Sequence, residues 1–216
     1  MCKFNIVFLI LLVGGCSTPK TFITNIQPED HEIIEKKPLL FEQSKEATWN
    51  DLLTMFANSE FRIDRINMNA RMVTLRYRSQ PDLYIDCGIK RINTEGNEIT
   101  IINTKSHYSY RAYQHIHLET YSVNNDFTGY VNLLITGNDI SSQVSVQFDL
   151  ELETEEKRTT TRGIRFSTNR NDKLKLNSLK PMYSKLFKTN CRTTGKLERQ
   201  VFEMISQMYG SRSPLR

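Results

Sequence analysis

Apolar positions recur along this chain with three different spacings, and each spacing predicts a different element. Residues 4–13 are apolar apart from Asn5, and no later run is comparably long. Ala47, Trp49, Leu52, Leu53, Phe56 and Ala57 recur at helical spacing. Ahead of them stand Ser44, a good N-cap, and Glu46, an acid in the first turn where the helix dipole favours one. An amphipathic helix ending near Asn58 is predicted, with Trp49 in the core. In FRIDRINMNARMVTLRYRS the period falls to two. Phe61 and Ile63 alternate with Arg62 and Asp64, then Val73, Leu75 and Tyr77 with Thr74, Arg76 and Arg78. Two strands joined by turn formers at residues 67–69 are predicted.

Further strands are expected at NEITIINT, around residues 112–122, and at TGYVNLLIT, SSQVSVQFDLELE and RTTTRGIRFST, with Gly137-Asn138-Asp139 as a turn. Residues 171–190, Lys-rich and interrupted by Pro181, read as loop with one short element. After Thr194 and Gly195, Leu197, Val201, Met204, Ile205 and Met208 share one helical face, and Gly210 fits the stop. The fold class is α+β: a helix–strand–strand opening, an antiparallel sheet and a C-terminal helix packed on it. Residues 16–44, broken by Pro19, Pro28 and Pro38, read as a flexible tether, residues 45–209 as a single domain and 210–216 as a polar tail. Within the tether, HEIIEKKPLLFE is more apolar than a spacer requires; it docks either on a partner or on its own domain.

The first apolar run changes the picture most. Lys3, a short apolar stretch and two small residues before Cys16 have the layout of a secretory signal. The run is too short to span a bilayer, which takes roughly 20 apolar residues. Val13-Gly14-Gly15-Cys16 resembles the bacterial lipobox, which implies cleavage after residue 15 and acylation of Cys16. The alternative is an ordinary signal peptide with an incidental cysteine. Ser17 is not the aspartate that retains such proteins at the inner membrane, so the expected address is the outer membrane, facing the periplasm. Two or more acyl chains, at ~0.8 kcal/mol per buried CH₂, would hold the protein to the membrane without spanning it.

Composition fits one packed domain of a 216-residue chain, with 38% hydrophobic and 25% charged residues. The net charge of +5 is mild, and export removes nucleic acid as a partner. Of four cysteines, Cys2 leaves with the leader and Cys16 carries lipid. Cys87 and Cys191 then meet in an oxidising compartment, where paired cysteines bond, and a Cys87–Cys191 disulfide is expected. The alternative is two free thiols. Neither has a second ligand at zinc spacing, so no metal and no cofactor are expected.

The stretch KEATWNDLLTMFANSEFRIDRINMNARMVTLRYRS is similar to the repeated domain of BamC-type (NlpB-type) lipoproteins of the outer-membrane β-barrel assembly machinery. Trp49, Leu52, Leu53, Ile63, Asp64, Val73 and Leu75 carry that likeness. YIDCG at residues 84–88, followed by CRTTGKLE at 191–198, resembles a group of proteobacterial outer-membrane lipoproteins. The first implies a helix on an antiparallel sheet and an envelope protein partner; the second implies a fold and an envelope location, with no known activity attached.

Catalytic chemistry is not indicated. The chain lacks G-x-x-x-x-G-K, G-x-G-x-x-G and G-x-S-x-G, and DLELETEE alternates acids with leucines as a strand with one wet face does. His115 and His117, with Glu119 beyond them, fall on one strand face. Tyr108, Tyr110, Tyr113 and Tyr121 crowd the same region. Tyr108, Tyr110, Tyr113, His115 and His117 are therefore the expected ligand surface, for a glycan or another small molecule, with ordinary sheet packing as the alternative. The expected function is a non-catalytic, lipid-anchored scaffold or accessory component of an outer-membrane assembly; the alternative is a glycan- or small-ligand-binding lipoprotein.

Overall fold

Ser44 caps the first helix as its side chain suggests: its Oγ accepts a hydrogen bond from the Ala47 N–H at 3.2 Å. In the computed structural model, which describes residues 20–29, 37–114, 117–160, 167–177 and 180–209, strands β1 (Thr21–Ile26) and β2 (Leu39–Phe41) precede this helix, α1 (Lys45–Ala57). Next come β3 (Arg62–Asn67), β4 (Met72–Ser79), a 3-10 turn at Pro81–Leu83, β5 (Ile85–Asp86), β6 (Ile89–Thr94), β7 (Asn97–Ile102) and β8 (His107–Gln114). The chain continues through β9 (His117–Gly137), β10 (Ser142–Thr160), β11 (Ser167–Asn177), β12 (Met182–Ser184), β13 (Thr189–Thr193) and α2 (Lys196–Tyr209). The architecture is α+β, dominated by antiparallel strands.

The large sheet runs β11-β10-β9-β4-β3, with β8 beside the first half of β9 and β2 beside the start of β10. Two three-stranded sheets, β1-β6-β7 and β12-β13-β5, complete the fold. All 19 residues of β10 pair with β9 without a shift in register, from Ser142 opposite Gly137 to Thr160 opposite Glu119. Strand side chains alternate, so this one register sorts the hairpin into two faces. Val123, Phe127, Val131, Leu133 and Ile135 of β9 point inward with Val144, Phe148, Leu150 and Leu152 of β10, and all are buried. They meet Trp49, Leu52 and Phe56 of α1 and Leu197, Val201 and Ile205 of α2. Each such side chain contributes roughly 1.5–3 kcal/mol when fully buried. The C-terminal helix lies on the sheet, with Phe202 against Phe148 at 5.9 Å between ring centroids and Tyr209 against Phe41 at 4.1 Å.

The two predicted helices and the β3–β4 hairpin are present, as is the turn at Gly137. There the Asn138 side-chain oxygen accepts from the N–H groups of Ile140 and Ser141. Four expectations change. Part of the stretch expected as tether is sheet: β1 pairs with β6 and β2 with β10. β-Branched TFITNI satisfies its backbone by pairing, and Leu39–Phe41 docks on its own domain. The strand expected around residues 112–122 is two strands, since Gln114 of β8 faces His117 of β9. Likewise RTTTRGIRFST supplies the end of β10 and the start of β11, with Arg158 opposite Thr168. β11 itself lies partly where loop was expected; Leu174 and Leu176 are its inward residues, and three Asn residues in STNRNDKLKLN weaken its strand signal. The leader, Cys16, residues 30–36, His115, residues 161–166 and Gly210 with the tail lie outside the described residues.

A disulfide joins Cys87 to Cys191 across 104 residues. Both cysteines are fully buried. The Cys87 carbonyl accepts from Asn103 Nδ2 at 3.0 Å and Thr189 Oγ1 at 2.7 Å. The next residue, Gly88, has φ +72°, and a Cβ there would fall 2.0 Å from the Ile26 carbonyl oxygen. Backbone from the former tether therefore presses on the disulfide segment.

Replacing both cysteines by alanine is expected to lower stability by about 2–4 kcal/mol, nearer the top of that range for so long a loop. Urea unfolding with and without reductant reads the loss, and the double variant should not respond to reductant. Gly88→Ala is expected to destabilise by more than Gly96→Ala. Both have positive φ, but a Cβ at Gly96 meets nothing within 4 Å. Equal loss in the two variants would mean that the Ile26 contact contributes nothing.

Candidate functional site

Among the described residues, each face of the large sheet carries a polar grouping that bears on function. The inner one lies where β8 and the first half of β9 face β6. Tyr108 and Tyr110 on β8 pair with Val123 and Tyr121 on β9, which pair with Glu156 and Arg158 on β10. Tyr110 stacks on Tyr121 at 4.7 Å and on Tyr108 at 6.3 Å. Lys90 of β6 closes over this layer, 4.9 Å from the Tyr110 ring, and donates to its hydroxyl at 3.4 Å. Glu119 accepts from Tyr121 Oη at 2.8 Å and from Arg158 Nη2.

Burial sets the ionisation of this layer. The Tyr108 and Tyr110 hydroxyls are pushed up chiefly by burial and then by the nearby Glu156 charge. Tyr121 is pushed up to about 12 by burial and its bond to Glu119. Lys90 is pulled down by burial, against the pull of Glu156. Burial raises the Glu119 carboxyl, but the bonds from Arg158 and Tyr121 outweigh it and leave the group below its ordinary value. Tyr108 Oη, Asn25 Oδ1 and Thr104 Oγ1 are buried without a hydrogen-bond partner among the described residues. Buried groups of this kind recruit water or a small polar guest.

The expected ligand surface is therefore corrected at two of its residues. Tyr108 and Tyr110 are 7% and 6% exposed, because β8 alternation turns its even residues inward, so they offer no outward face. Tyr113 and His117 are half-buried at the end of the β8–β9 pair, where the Tyr113 N–H donates to Thr21 Oγ1 at 2.7 Å. His115 lies outside the described residues. The carboxylate of Glu119, which would continue the His115 and His117 face, is held by Arg158 and Tyr121. Cys87 and Cys191 are joined, so neither offers a thiol.

The outer grouping was not foreseen as a site. Outward positions of β4, β9, β10 and β11 remain exposed or half-buried, apart from Thr74. Two continuous hollows of about 450 and 600 Å³ share Arg65, Met72 and Thr74, and together cross the face from the β3–β4 turn to β11. On the floor, Thr74 Oγ1 donates to Asn132 Oδ1 at 2.8 Å, and Asn132 Nδ2 donates to Asp149 Oδ2 at 3.0 Å. Tyr130 lies directly across from Arg76 on one side and Asp149 on the other. Beyond it, Glu151 pairs with Lys173 at 3.2 Å and Lys175 at 3.3 Å. The alternation of DLELETEE signalled this wet face; nothing in the sequence signalled which strands would flank it.

Among the described residues no helix is long and apolar enough to cross a membrane, which says nothing of strands. Comparison with family models, with curated proteins and with solved structures returns no match.

The four raised tyrosines, Tyr84, Tyr108, Tyr110 and Tyr121, favour the fold while neutral. Their contribution is complete below the unfolded value near 10 and is lost as pH rises above it. In an alkaline titration followed by phenolate absorbance, these four are expected to ionise only together with loss of the fold. Smooth ionisation of all nine tyrosines near pH 10 with the circular dichroism unchanged would contradict the buried layer.

Proposed function

We propose that this chain is a lipid-anchored protein of the cell envelope, held at the outer membrane through acylated Cys16 and facing the periplasm, and that it acts by contact and not by catalysis. In this reading it is an accessory or scaffold component of an outer-membrane assembly, similar in that respect to BamC-type lipoproteins. The observation that carries the contact role is the outer face of the large sheet, which no described residue covers. It sets a column of arginines on β3 and β4 against a column of acids on β10, with hydrogen-bonding side chains between them. Such an uncovered face, polar and of two signs, suits recognition of an envelope partner. Support for the address comes from the lipobox-like Val13-Gly14-Gly15-Cys16, and from a disulfide of the kind that persists in oxidising compartments. No nucleic acid and no cofactor enter this reading.

A second reading, binding of cell-wall glycan or another small ligand, is favoured by one observation: the lining of the two joined hollows on that face includes Tyr130, Asn132, Thr74 and Asp149 beside charged and apolar residues. The surface it uses is the outer groove in place of the Tyr/His strand.

Protein extracted from membranes is expected to begin at residue 16, to carry the mass of its acyl chains and to gain two hydrogens on reduction. Intact mass with and without reductant measures all three. A chain that retains its initiator methionine and has free Cys87 and Cys191 would refute the envelope reading. Crosslinking in intact cells is expected to capture one specific envelope protein, and charge reversal at Arg76 and Asp149 together to abolish that capture.

A further inference from the structure

β3 contains an irregularity that gathers cations at the edge of the outer groove, where Arg65 lines the hollows and Arg62 and Arg76 flank them on the same face. Its pairing with β4 runs Arg62 opposite Arg76 and Ile63 opposite Leu75, then skips Asp64 and resumes with Arg65 opposite Thr74. In an unbroken strand, residues three apart point to opposite faces. The bulge at Asp64 restores Arg65 to the face that Arg62 already occupies; re-aiming a side chain in this way is a known use of bulges beside functional sites. Arg62, Arg65 and Arg76 are thereby brought to one corner. Arg65 and Arg76 share one carboxylate, Asp64, which lies 3.5 Å from Arg65 and 3.9 Å from Arg76. Arg62 has no ion pair among the described residues. Two arginines directly across a strand pair repel each other, so this corner holds cationic charge that its own side chains do not neutralise.

One step along the same row from Arg76 is Tyr130, a half-buried aromatic, and one step further is Asp149, held by the Thr74–Asn132 chain. Fixing Asp149 through one oxygen leaves the other without a hydrogen bond among the described residues. Aromatic face, fixed amide and carboxylate, and guanidiniums at one end complement a molecule with an apolar ring face, several hydroxyls and one acidic substituent. A plain anion has no use for Tyr130 and is repelled by Asp149. A neutral sugar has no use for the three arginines.

We infer that this groove binds an acidic saccharide, the ring seated on Tyr130, hydroxyls on Asp149 and Asn132, and the carboxylate or phosphate on Arg62, Arg65 and Arg76. The polarity of the face fixes the direction: the acidic group lies toward β3 and the hydroxyls toward β10. The groove crosses five strands at about 4.8 Å spacing, roughly 19 Å, which accommodates several linked sugar units. This inference rests on the glycan reading above and names its ligand class.

The test uses the mature, disulfide-bonded chain and four probes: an oligoglucuronate, a phosphorylated oligoglucan, the uncharged oligoglucan and inorganic phosphate. Amide and side-chain NMR shifts at Tyr130 and Asn132 report occupancy. At least one acidic oligosaccharide is expected to bind on the order of tenfold or more tightly than the neutral one, a difference that shrinks with salt. Which acidic probe wins assigns a carboxylate or a phosphate source. Arg65→Gln with Arg76→Gln is expected to abolish that preference while leaving unfolding nearly unchanged, since Arg65 is exposed, Arg76 is half-buried and each makes only a surface ion pair to Asp64. Tyr130→Ala is expected to weaken acidic and neutral probes alike. Equal binding of neutral and acidic oligosaccharides, binding of phosphate as tight as that of the sugars, or no shift with any probe overturns the inference. If those fail while intact mass shows acylated Cys16, the ligand class falls and the envelope address stands; sugar binding by a chain that retains its leader and free thiols would show the converse.

Discussion

Everything in this molecule depends on the register of one long hairpin. β9 and β10 pair without slippage along the whole of β10, and a shift of one residue would exchange the two faces completely. The leucines, valines and phenylalanines at inward positions make the observed register favourable by far. The polar residues interleaved with them follow passively to the other side. Asp149 and Glu151 face solvent because Leu150 and Leu152 do not. The same rule carries Glu156 inward, where it is 6% exposed, although it ends a run of acids that reads as a wet face. Apolar burial thus decides where the charges go, including one that would be better solvated elsewhere.

The second constraint is the point where three sheets meet. Cys87 is bonded to Cys191 just ahead of α2, and its carbonyl takes side-chain bonds from Asn103 and Thr189. Asn125 on β9 donates to the carbonyls of Asn103 and Lys105 and accepts from Thr154 on β10. A buried chain of hydrogen bonds therefore runs from the disulfide into the middle of the long hairpin. A network with most members satisfied rigidifies a core more than any single bond does. It also explains why segments distant in sequence, the strands near residue 21 and the helix that begins at Lys196, hold fixed positions around the same sheet.

What the sequence made legible was local. The cap at Ser44, the face of α2 and the alternation in β4 are all set by neighbours within a few residues, and each is present. Legibility failed where pairing across long separations decides. TFITNI reads as tether because no strand near it in the chain can pair with it; its partner, β6, lies some sixty residues on. The inward placement of Tyr108 and Tyr110 is not legible because it depends on their pairing with Val123 and Tyr121 across the reversal between Gln114 and His117. Once the hairpin is drawn, the long inward stack of Tyr108, Tyr110 and Tyr121 follows from alternation alone. The outer groove was legible only in part: its acids and arginines are visible as alternating positions, but the skip at Asp64 has no sequence signature distinct from an ordinary strand.

The two charged groupings differ in what their charges are free to do. Inside, Glu119 is saturated by Arg158 and Tyr121, and Lys90 is capped by Tyr110. At Glu119 the bonds outweigh the burial, whereas at Lys90 burial wins; in both cases the partner is already inside the protein and no charge is left over for a ligand. Outside, the same residue types remain largely hydrated. At 4 Å a pair of unit charges is worth about 1 kcal/mol in bulk water and about 4 kcal/mol at the effective dielectric of a protein surface. A flat ligand that lies across Tyr130 excludes water from the groove as it binds. The arginines around Asp64 are then moved from the first regime toward the second by the act of binding, and their unneutralised charge becomes interaction with whatever acidic group the ligand carries. A groove with this arrangement draws affinity for any sugar ring from Tyr130 and draws its preference for charge from the arginines that the bulge gathers, with the bound ligand itself excluding the water.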